Sequence, residues 1–400
     1  MKKILQINVT ANWGSTGRIA EDIGLMIQDQ GWESYIAYGR GNPQSQSKLI
    51  KIGNIIDTYF HGVLSRLFDN HGLCSKKSTY NLIKQIKKLS PDIIHLHNIH
   101  GYYLNYPLLF SYLSKANIPI VWTLHDCWSF TGHCAYFDFI NCNKWKKQCY
   151  DCKALNTYPK AFIDSSFKNF LLKKEYTTKL PQIILVPVSN WLERLISESF
   201  LSHYKTHVIH NGINIDIFKP TLDSTIINKY NIKERFVILG LTNIWAERKG
   251  LNDIIKLNQI IDHNIFQIVL VGLTKKQMKY LPKSIIGIPR TDSIVDLVKL
   301  YSYAGVFVNP TWEDNFPTTN LEALACGTPV ITYDTGGSPE AIDAKSGYVV
   351  PKGNIDLLHE AIKKIQKGNI KREDCRLRAE NFYNKKNRFK EYIDLYKSLL

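Results

Sequence analysis

No apolar run in this 400-residue chain approaches the ~20 residues needed to cross a bilayer. The N-terminal MKKILQINVT is broken by Gln6 and Asn8, so it reads as a first β-strand rather than a signal peptide. A cytoplasmic location is expected, with the inner face of the membrane as the place of work. A GxGxxG pattern is absent, which removes the dinucleotide signal. An aspartate–any–aspartate pair is also absent, so the chemistry is expected to need no Mg²⁺. Acid is scarce: 35 Asp and Glu stand against 51 Lys and Arg, a net charge of +16. Such an excess raises the question of nucleic acid, yet the chain has no arginine-rich tail and no aromatic–basic repeat. Its basic clusters, at 144–147, 173–174 and 363–388, are scattered. They read as solvated surface or, preferably, as adhesion to anionic lipid headgroups, and no nucleic-acid partner is expected.

What is present is ordinary for a soluble protein of two domains, each long enough to bury a core. Short apolar runs alternate with helical patterns twice over. In the first half, strands are expected at 3–9, 34–38, 91–97, 119–124, 183–188 and 208–210. Helices are expected after the glycine-containing loop Asn12–Arg18 and at 55–67, 80–88, 107–113 and 165–178. After a linker at 216–220 the rhythm restarts, with strands at 236–241, 266–271, 305–308, 329–333 and 347–350. Strand–helix alternation predicts an α/β fold of two Rossmann-like, doubly wound parallel sheets facing across a cleft. The predicted division is 1–217, 218–382, and a final helix at 383–400 that returns to the N-terminal domain. Two strands of the first half release polar residues at their carboxyl ends: His97 and Asn98, then His125 and Asp126. Ligand sites of open α/β sheets lie at that edge.

Eight cysteines in a cytoplasmic chain do not make a disulfide framework. Cys74, Cys326 and Cys375 stand alone and read as packing residues. An irregular, aromatic insertion at 127–152 holds a denser set. There Cys134, Cys142, Cys149 and Cys152 offer a structural zinc site, with Cys149-x-x-Cys152 as its best-spaced pair, or else thiols buried under a long loop.

The richest stretch is NPTWEDNFPTTNLEALACGTPVITYDTGGSPEAI, residues 309–342. A buried strand leads into the acidic pair Glu313 and Asp314. Pro317, Thr318 and Thr319 then start a helix, with a hydroxyl N-cap expected. That helix ends at Gly327, and a further strand runs into Gly336-Gly337. A helix N-terminus at the carboxyl edge of a sheet offers N–H groups to an anion. Carboxylates on either side suit sugar hydroxyls. Together they suggest a nucleotide-sugar site.

Asp314 to Glu322, followed by ALACGTPV and GGSPE, resembles the acid-x7-acid signature, helix and loop of family 4 retaining glycosyltransferases of the GT-B fold. Asn211-Gly212-Ile213-Asn214 with Phe218 and Pro220 is similar to that family's interdomain segment. The resemblance covers nearly the whole chain. It implies that Glu322 binds the nucleotide ribose and that an acid sits near the transferred sugar. Seven residues separate Asp314 from Glu322 and eight separate Glu313, so Asp314 is preferred with Glu313 as the alternative. Backbone groups of Asn315, Phe316, Thr318, Thr319, Asn320 and Leu321 would lie against the donor. Lys249 matches the diphosphate lysine. The partner arginine is missing, because that loop reads Thr242-Asn243-Ile244, which leaves Asn243 as a neutral donor and Arg248 as the compensating charge. His125 matches the histidine directed at the donor sugar, with His97 and Asn98 on the acceptor side. Gly14 and Gly17 match the loop over the reaction centre.

These residues imply catalysis by His125, Asp314, Lys249 and Arg248, with a nucleoside-diphosphate sugar as donor and a lipid-linked or polysaccharide acceptor. Charge developing on the leaving diphosphate is met by cations and a helix terminus rather than by a general acid. Two other readings stay open at this point: a nucleotide-sugar epimerase of the same architecture, and a nucleotide-sugar or nucleic-acid binding protein without catalysis.

Overall fold

In a computed structural model that describes residues 1–400, contacts divide the chain into two units. One comprises 1–210 with 389–400, the other 211–388. The chain therefore leaves the first unit once and returns to it at the end.

The first unit contains β1 (Lys3–Asn8), α1 (Gly14–Asp29), β2 (Glu33–Tyr38), β3 (Lys48–Lys51), α2 (Ile55–Phe68), α3 (Lys76–Leu89), β4 (Ile93–Leu96), α4 (Tyr106–Leu113), β5 (Ile120–Leu124), α5 (Ser166–Thr177), β6 (Ile183–Pro187), α6 (Asn190–Ser197) and β7 (Lys205–Thr206). Its seven strands form one parallel sheet in the order β3-β2-β1-β4-β5-β6-β7. β4 and β5 are buried along their whole length, as expected of strands covered on both faces. Where residues 208–210 suggested a strand, regular pairing with β6 is confined to Lys205–Thr206. The backbone nonetheless keeps pairing, with His207 N–H to Leu185 O at 2.9 Å and Ile209 N–H to Pro187 O at 3.2 Å.

The second unit contains α7 (Thr225–Tyr230), β8 (Phe236–Leu241), α8 (Leu251–Ile260), β9 (Phe266–Val271), α9 (Lys275–Tyr280), β10 (Ile286–Ile288), α10 (Ile294–Tyr303), β11 (Val306–Asn309), α11 (Thr318–Ala325), β12 (Val330–Tyr333), β13 (Gly347–Val350), α12 (Ile355–Gln366) and α13 (Arg372–Tyr383). Its six-stranded sheet, β10-β9-β8-β11-β12-β13, is also parallel throughout. Both units thus have the doubly wound α/β architecture expected. No helix is long and apolar enough to cross a membrane.

The last helix, α14 (Lys385–Leu399), spans the boundary between the units. Its Phe389, Tyr392, Ile393 and Tyr396 join Ile4, Ile19, Ile23, Ile93 and Val121 in the core of the first unit. Fully burying one such apolar side chain is worth about 1.5–3 kcal/mol. The same helix satisfies a polar group in mid-sheet. His95 is fully buried, with Nε2 2.7 Å from the Thr123 hydroxyl and Nδ1 2.6 Å from the Tyr396 hydroxyl. Thr123 in turn donates to the Tyr392 hydroxyl at 3.1 Å. His95 therefore donates from Nε2, and because burial disfavours the charged ring, Nδ1 of the neutral ring is left to accept from Tyr396. His61 is held in the same state, because Gly72 N–H donates to its Nε2 at 3.1 Å.

Burial lowers the proton affinity of both rings, to about 4 for His61 and well below the ordinary value for His95. Unfolding returns each to about 6.5. The unfolded chain then binds more protons between pH 6.5 and 4, so this stability is complete above pH 6.5 and is lost as pH falls. The unfolding free energy from urea titrations at constant ionic strength should fall between pH 6.5 and pH 5, its slope approaching about 1.4 kcal/mol per pH unit for each such ring; a flat profile would refute the neutral assignment. Tyr396→Phe should cost a further ~1–3 kcal/mol at pH 7, since it strands a buried acceptor.

Candidate active site

In the second unit the chemistry gathers where β8 and β11 end. A one-turn helix, Glu247–Lys249, follows β8 and is closed by Gly250 at φ +75°. A Cβ there would lie 2.0 Å from the Pro310 carbonyl oxygen, so only glycine lets this turn press against the loop after β11. The contact brings two charged neighbours onto one acid. The Lys249 ammonium hydrogen-bonds to Asp314 Oδ2. Arg248 Nη1 stands 4.0 Å from the same oxygen and donates to the Glu313 carbonyl at 2.7 Å. Burial pushes the Asp314 carboxyl upward, but Lys249 and Arg248 outweigh it and hold the group below the ordinary carboxylate value. Burial lowers the Lys249 ammonium, against the pull of Asp314.

The loop carrying Asp314 is braced from several sides. Trp312 N–H donates to Arg248 O at 2.7 Å, its indole donates to Asp253 at 2.7 Å, and Thr335 donates to Thr311 O at 2.7 Å. Gly336, at φ +58°, passes so close that a Cβ would lie 1.9 Å from Asp314 O, and Gly337 N–H donates to that oxygen at 3.0 Å. Glu313 is fully buried, and Asn315 and Phe316 are nearly so. Of the two candidate acids, Asp314 is the one paired with Lys249.

Helix α11 begins differently from expectation. Its N-cap is Pro317, with no side-chain cap, rather than a threonine hydroxyl. Proline supplies the extended backbone, and both threonines fall inside the first turn. An uncapped terminus leaves first-turn N–H groups for an anion. Thr318, Thr319 and Glu322 are half-buried, whereas Asn320 and Leu321 are buried. Asn320 ties the helix to the strand end, accepting from Asn309 Nδ2 at 2.8 Å. Leu321 is core, leaving only its backbone for a ligand. Glu322 Oε2 accepts from the Tyr301 hydroxyl at 2.9 Å, which fixes the carboxylate's orientation. Asn243 is exposed and lies outside this hydrogen-bonded cluster.

In the first unit β4 and β5 release their polar residues into one small pocket, lined by His97, Asn98, His100, His125 and Asp126 among others. Gln6 donates to Ala20 O at 2.8 Å, so its oxygen faces His97 Nε2, 3.0 Å away, and accepts from it. His97 Nδ1 is left as the acceptor for His125 Nε2–H at 3.2 Å, with the two rings stacked. His97 is almost fully buried and acts on His125, while His125 itself is partly exposed. Burial pushes the His125 ring down to about 4, with Asp126 offsetting in part. At neutral pH it is an uncharged donor, not a cation.

Asn98 N–H donates to Asn8 Oδ1 at 3.3 Å, joining the ends of β1 and β4. Gly14 sits at φ +69° with open space where a Cβ would be, so a ligand can approach its backbone. Gly17 differs: a Cβ would meet Thr10 Oγ1 at 2.6 Å, which makes its smallness a packing requirement.

Two pairs escaped the sequence reading. His100 Nε2 lies 2.9 Å from Asp126 Oδ2, and Trp128 N–H donates to Asp126 Oδ1 at 2.9 Å. The adjacency of Asp126 to His125 was the available signal. Tyr301, the partner of Glu322, carried none. No cluster of three or more His, Cys, Asp or Glu stands in metal-binding geometry anywhere in the structure.

Against this geometry, the family described as Glycosyltransferase Family 4 matches residues 16–217, and that described as Glycosyl transferases group 1 matches 223–382. WcaC of Escherichia coli K12, which its name assigns provisionally to colanic acid biosynthesis as a glycosyl transferase, is 24% identical across 99% of this chain and 100% of its own length. An Escherichia coli enzyme named UDP-Gal:alpha-D-GlcNAc-diphosphoundecaprenol alpha-1,3-galactosyltransferase is 24% identical over 51% of this chain and 57% of its own. Among solved structures, sucrose-phosphate synthase of Thermosynechococcus elongatus superposes with a TM-score of 0.72 at 17% identity, covering 100% of this chain and 99% of that one. Anabaena HepE in complex with UDP-glucose gives 0.71 at 13%, with 100% of both chains covered. These two share the GT-B fold with this chain. With two family matches that follow one another along almost its whole length, the chain belongs to Glycosyltransferase Family 4 and is a glycosyltransferase.

Proposed function

We propose that this enzyme moves a hexose from a nucleoside-diphosphate sugar to a lipid-linked or oligosaccharide acceptor, with retention of anomeric configuration, in cell-surface polysaccharide biosynthesis. The observation that carries the reading is the convergence of Lys249, Arg248 and Asp314 on one point beside the uncapped α11. Lys249 and Arg248 neutralise the diphosphate as the glycosidic bond breaks, and the α11 N–H groups hold its oxygens. These are fixed charges and dipoles that need no reorganisation at the moment of reaction. Glu322, oriented by Tyr301, takes the ribose hydroxyls. Asp314 lies toward the sugar, with Asn315, Phe316, Thr318 and Thr319 lending backbone. His125, kept neutral and aligned by its Nε2–H bond to His97, presents its partly exposed ring to the transferred sugar. The name of the diphosphoundecaprenol galactosyltransferase supports a lipid-linked acceptor, and that of WcaC supports polysaccharide biosynthesis.

Work on a lipid-linked acceptor calls for a surface that meets a bilayer, and α2 supplies one. Ile55 is 85% exposed, Tyr59 71% and Phe60 62%, all on one helix. Phe162, 66% exposed, extends the apolar area: its N–H donates to Arg66 O at 2.8 Å and its ring lies 4.9 Å from the Arg66 guanidinium. Cations border it. Ser78 of α3 donates to Asp57 of α2 at 2.8 Å, which sets the exposed Lys76 and Lys77 alongside. Apolar residues bordered by Arg66, Lys76 and Lys77 complement anionic lipid, at roughly 1 kcal/mol per basic residue near the surface.

Lys249→Ala and Glu322→Ala should each retain the fold by circular dichroism and lower transfer by about 10²–10³-fold. Near-normal turnover in both would overturn the site. Proton NMR of the product reads the anomeric configuration directly. Donor turnover without acceptor, producing a second nucleotide sugar, would instead establish epimerisation. Tyr59→Ser/Phe60→Ser should abolish cosedimentation with phosphatidylglycerol vesicles while donor binding persists; equal sedimentation by wild type and variant would remove α2 from the membrane.

A further inference from the structure

Between β5 and α5 the chain runs through some forty residues with only one-turn helices, at Trp128–Phe130, Asp138–Ile140 and Lys144–Lys146. Aromatic stacking holds part of it, Trp145 lying 5.3 Å from Phe130 and 4.9 Å from Phe137. Beside these rings is a cavity of ≈ 20 Å³, about the room one water or ion needs. Cys134, Cys142, Cys149 and Cys152 all line it, together with His133. Nineteen residues of sequence, 134–152, thus fold so that four thiols, none in a disulfide, face one space.

A buried thiol packs well as a small apolar group and needs no second thiol. Cys326 and Cys375 do this elsewhere in the fold. The cavity between 134 and 152 carries two features that packing does not require. Gly132 N–H is directed at Cys149 Sγ, 3.2 Å away, the kind of bond a thiolate accepts. His133 is 2% exposed, and its Nε2 is buried without any hydrogen-bond partner. Its Nδ1 meets Asp69 Oδ1 at 2.6 Å. An unpaired buried nitrogen costs about 1–3 kcal/mol. A carboxylate that holds one imidazole nitrogen while the other faces a cluster of sulfurs is the arrangement found around protein-bound metal.

We propose that this cavity binds one structural Zn²⁺ tetrahedrally through His133 Nε2 and three thiolates of the set Cys134, Cys142, Cys149 and Cys152, with Asp69 orienting the imidazole. The sulfurs surround the space without yet meeting at ligand geometry. Zn–S bonds of about 2.3 Å draw them inward, and binding releases the thiol protons. Three thiolates around Zn²⁺ carry a net −1, and Lys144 on the cavity wall answers that charge. The ion would clamp the segment that follows His125. Through Asp69, whose second oxygen accepts from Ser165 N–H at 3.2 Å, it would also tie the end of α2 to the start of α5.

The test is metal analysis of full-length protein purified without a polyhistidine tag, alongside titration of its thiols. One equivalent of zinc is expected, with release by a chelator lowering the thermal midpoint. Co²⁺ should replace it and show intense thiolate-to-cobalt absorption. Cys149→Ser/Cys152→Ser should lose the metal. Should that variant not fold, His133→Gln keeps the question open to measurement: it should remain folded and bind zinc about 10–100-fold more weakly. Substoichiometric zinc with all eight thiols free and no uptake of Co²⁺ would overturn the proposal, as would a disulfide between Cys134 and Cys152.

Discussion

Parallel pairing decides where chemistry can occur in this chain. Every strand of both sheets runs in the same direction, so every strand ends at the same edge of its sheet. Side chains in mid-strand are locked between helices, and those just past the last ladder bond escape. Asn8, His97, His125 and Asp126 leave one edge in this way; Pro310 to Asp314 leave the other. Within a sheet a polar residue must be fully partnered, as His95 is by Thr123 and Tyr396. Beyond the edge most of these residues stay buried, as His97 and Asp126 do, while His125 and Asp314 gain partly exposed faces. Position relative to the strand end thus makes His95 a core residue and His125 a candidate for catalysis.

Much of the fold was legible because strands covered on both faces read as continuous apolar runs. β8 and β9 begin and end where those runs do. Of the edge strands only β13, with its own apolar run, was legible, and the other three were not. KLIK at β3 is largely exposed, β10 is three residues long, and β7 is two. Their pairing comes from the neighbouring strand rather than from their own hydrophobicity. The α11 cap failed for a related reason: two threonines after a proline are consistent with either being the cap, and only the backbone decides that Pro317 takes that place.

The site was legible as residues but not as partnerships. Lys249 and Asp314 are 65 positions apart, and nothing local announces that one turn after β8 will meet the loop after β11. The glycines that allow it, Gly250 and Gly336, look like ordinary turn residues until the carbonyl each one presses against is known. Tyr301 belongs to a helix whose spacing marks it as core, and it reaches Glu322 through its terminal oxygen alone. Non-local hydrogen bonds between residues that are individually unremarkable are what a single sequence leaves out.

The position of α14 has a consequence for biosynthesis. On the ribosome β1 emerges first, and the residues that complete its core, Phe389 to Tyr396, emerge last. Until then His95 lacks the hydroxyl that accompanies it in the interior, and the apolar face left open beside Ile4 and Ile93 remains wet. The second unit is one unbroken segment, 211–388, and has every residue it needs before the first unit does. Synthesis order and folding order are therefore inverted: the half made first is the half finished last, and its nascent form carries an open apolar face for the time it takes to translate the other.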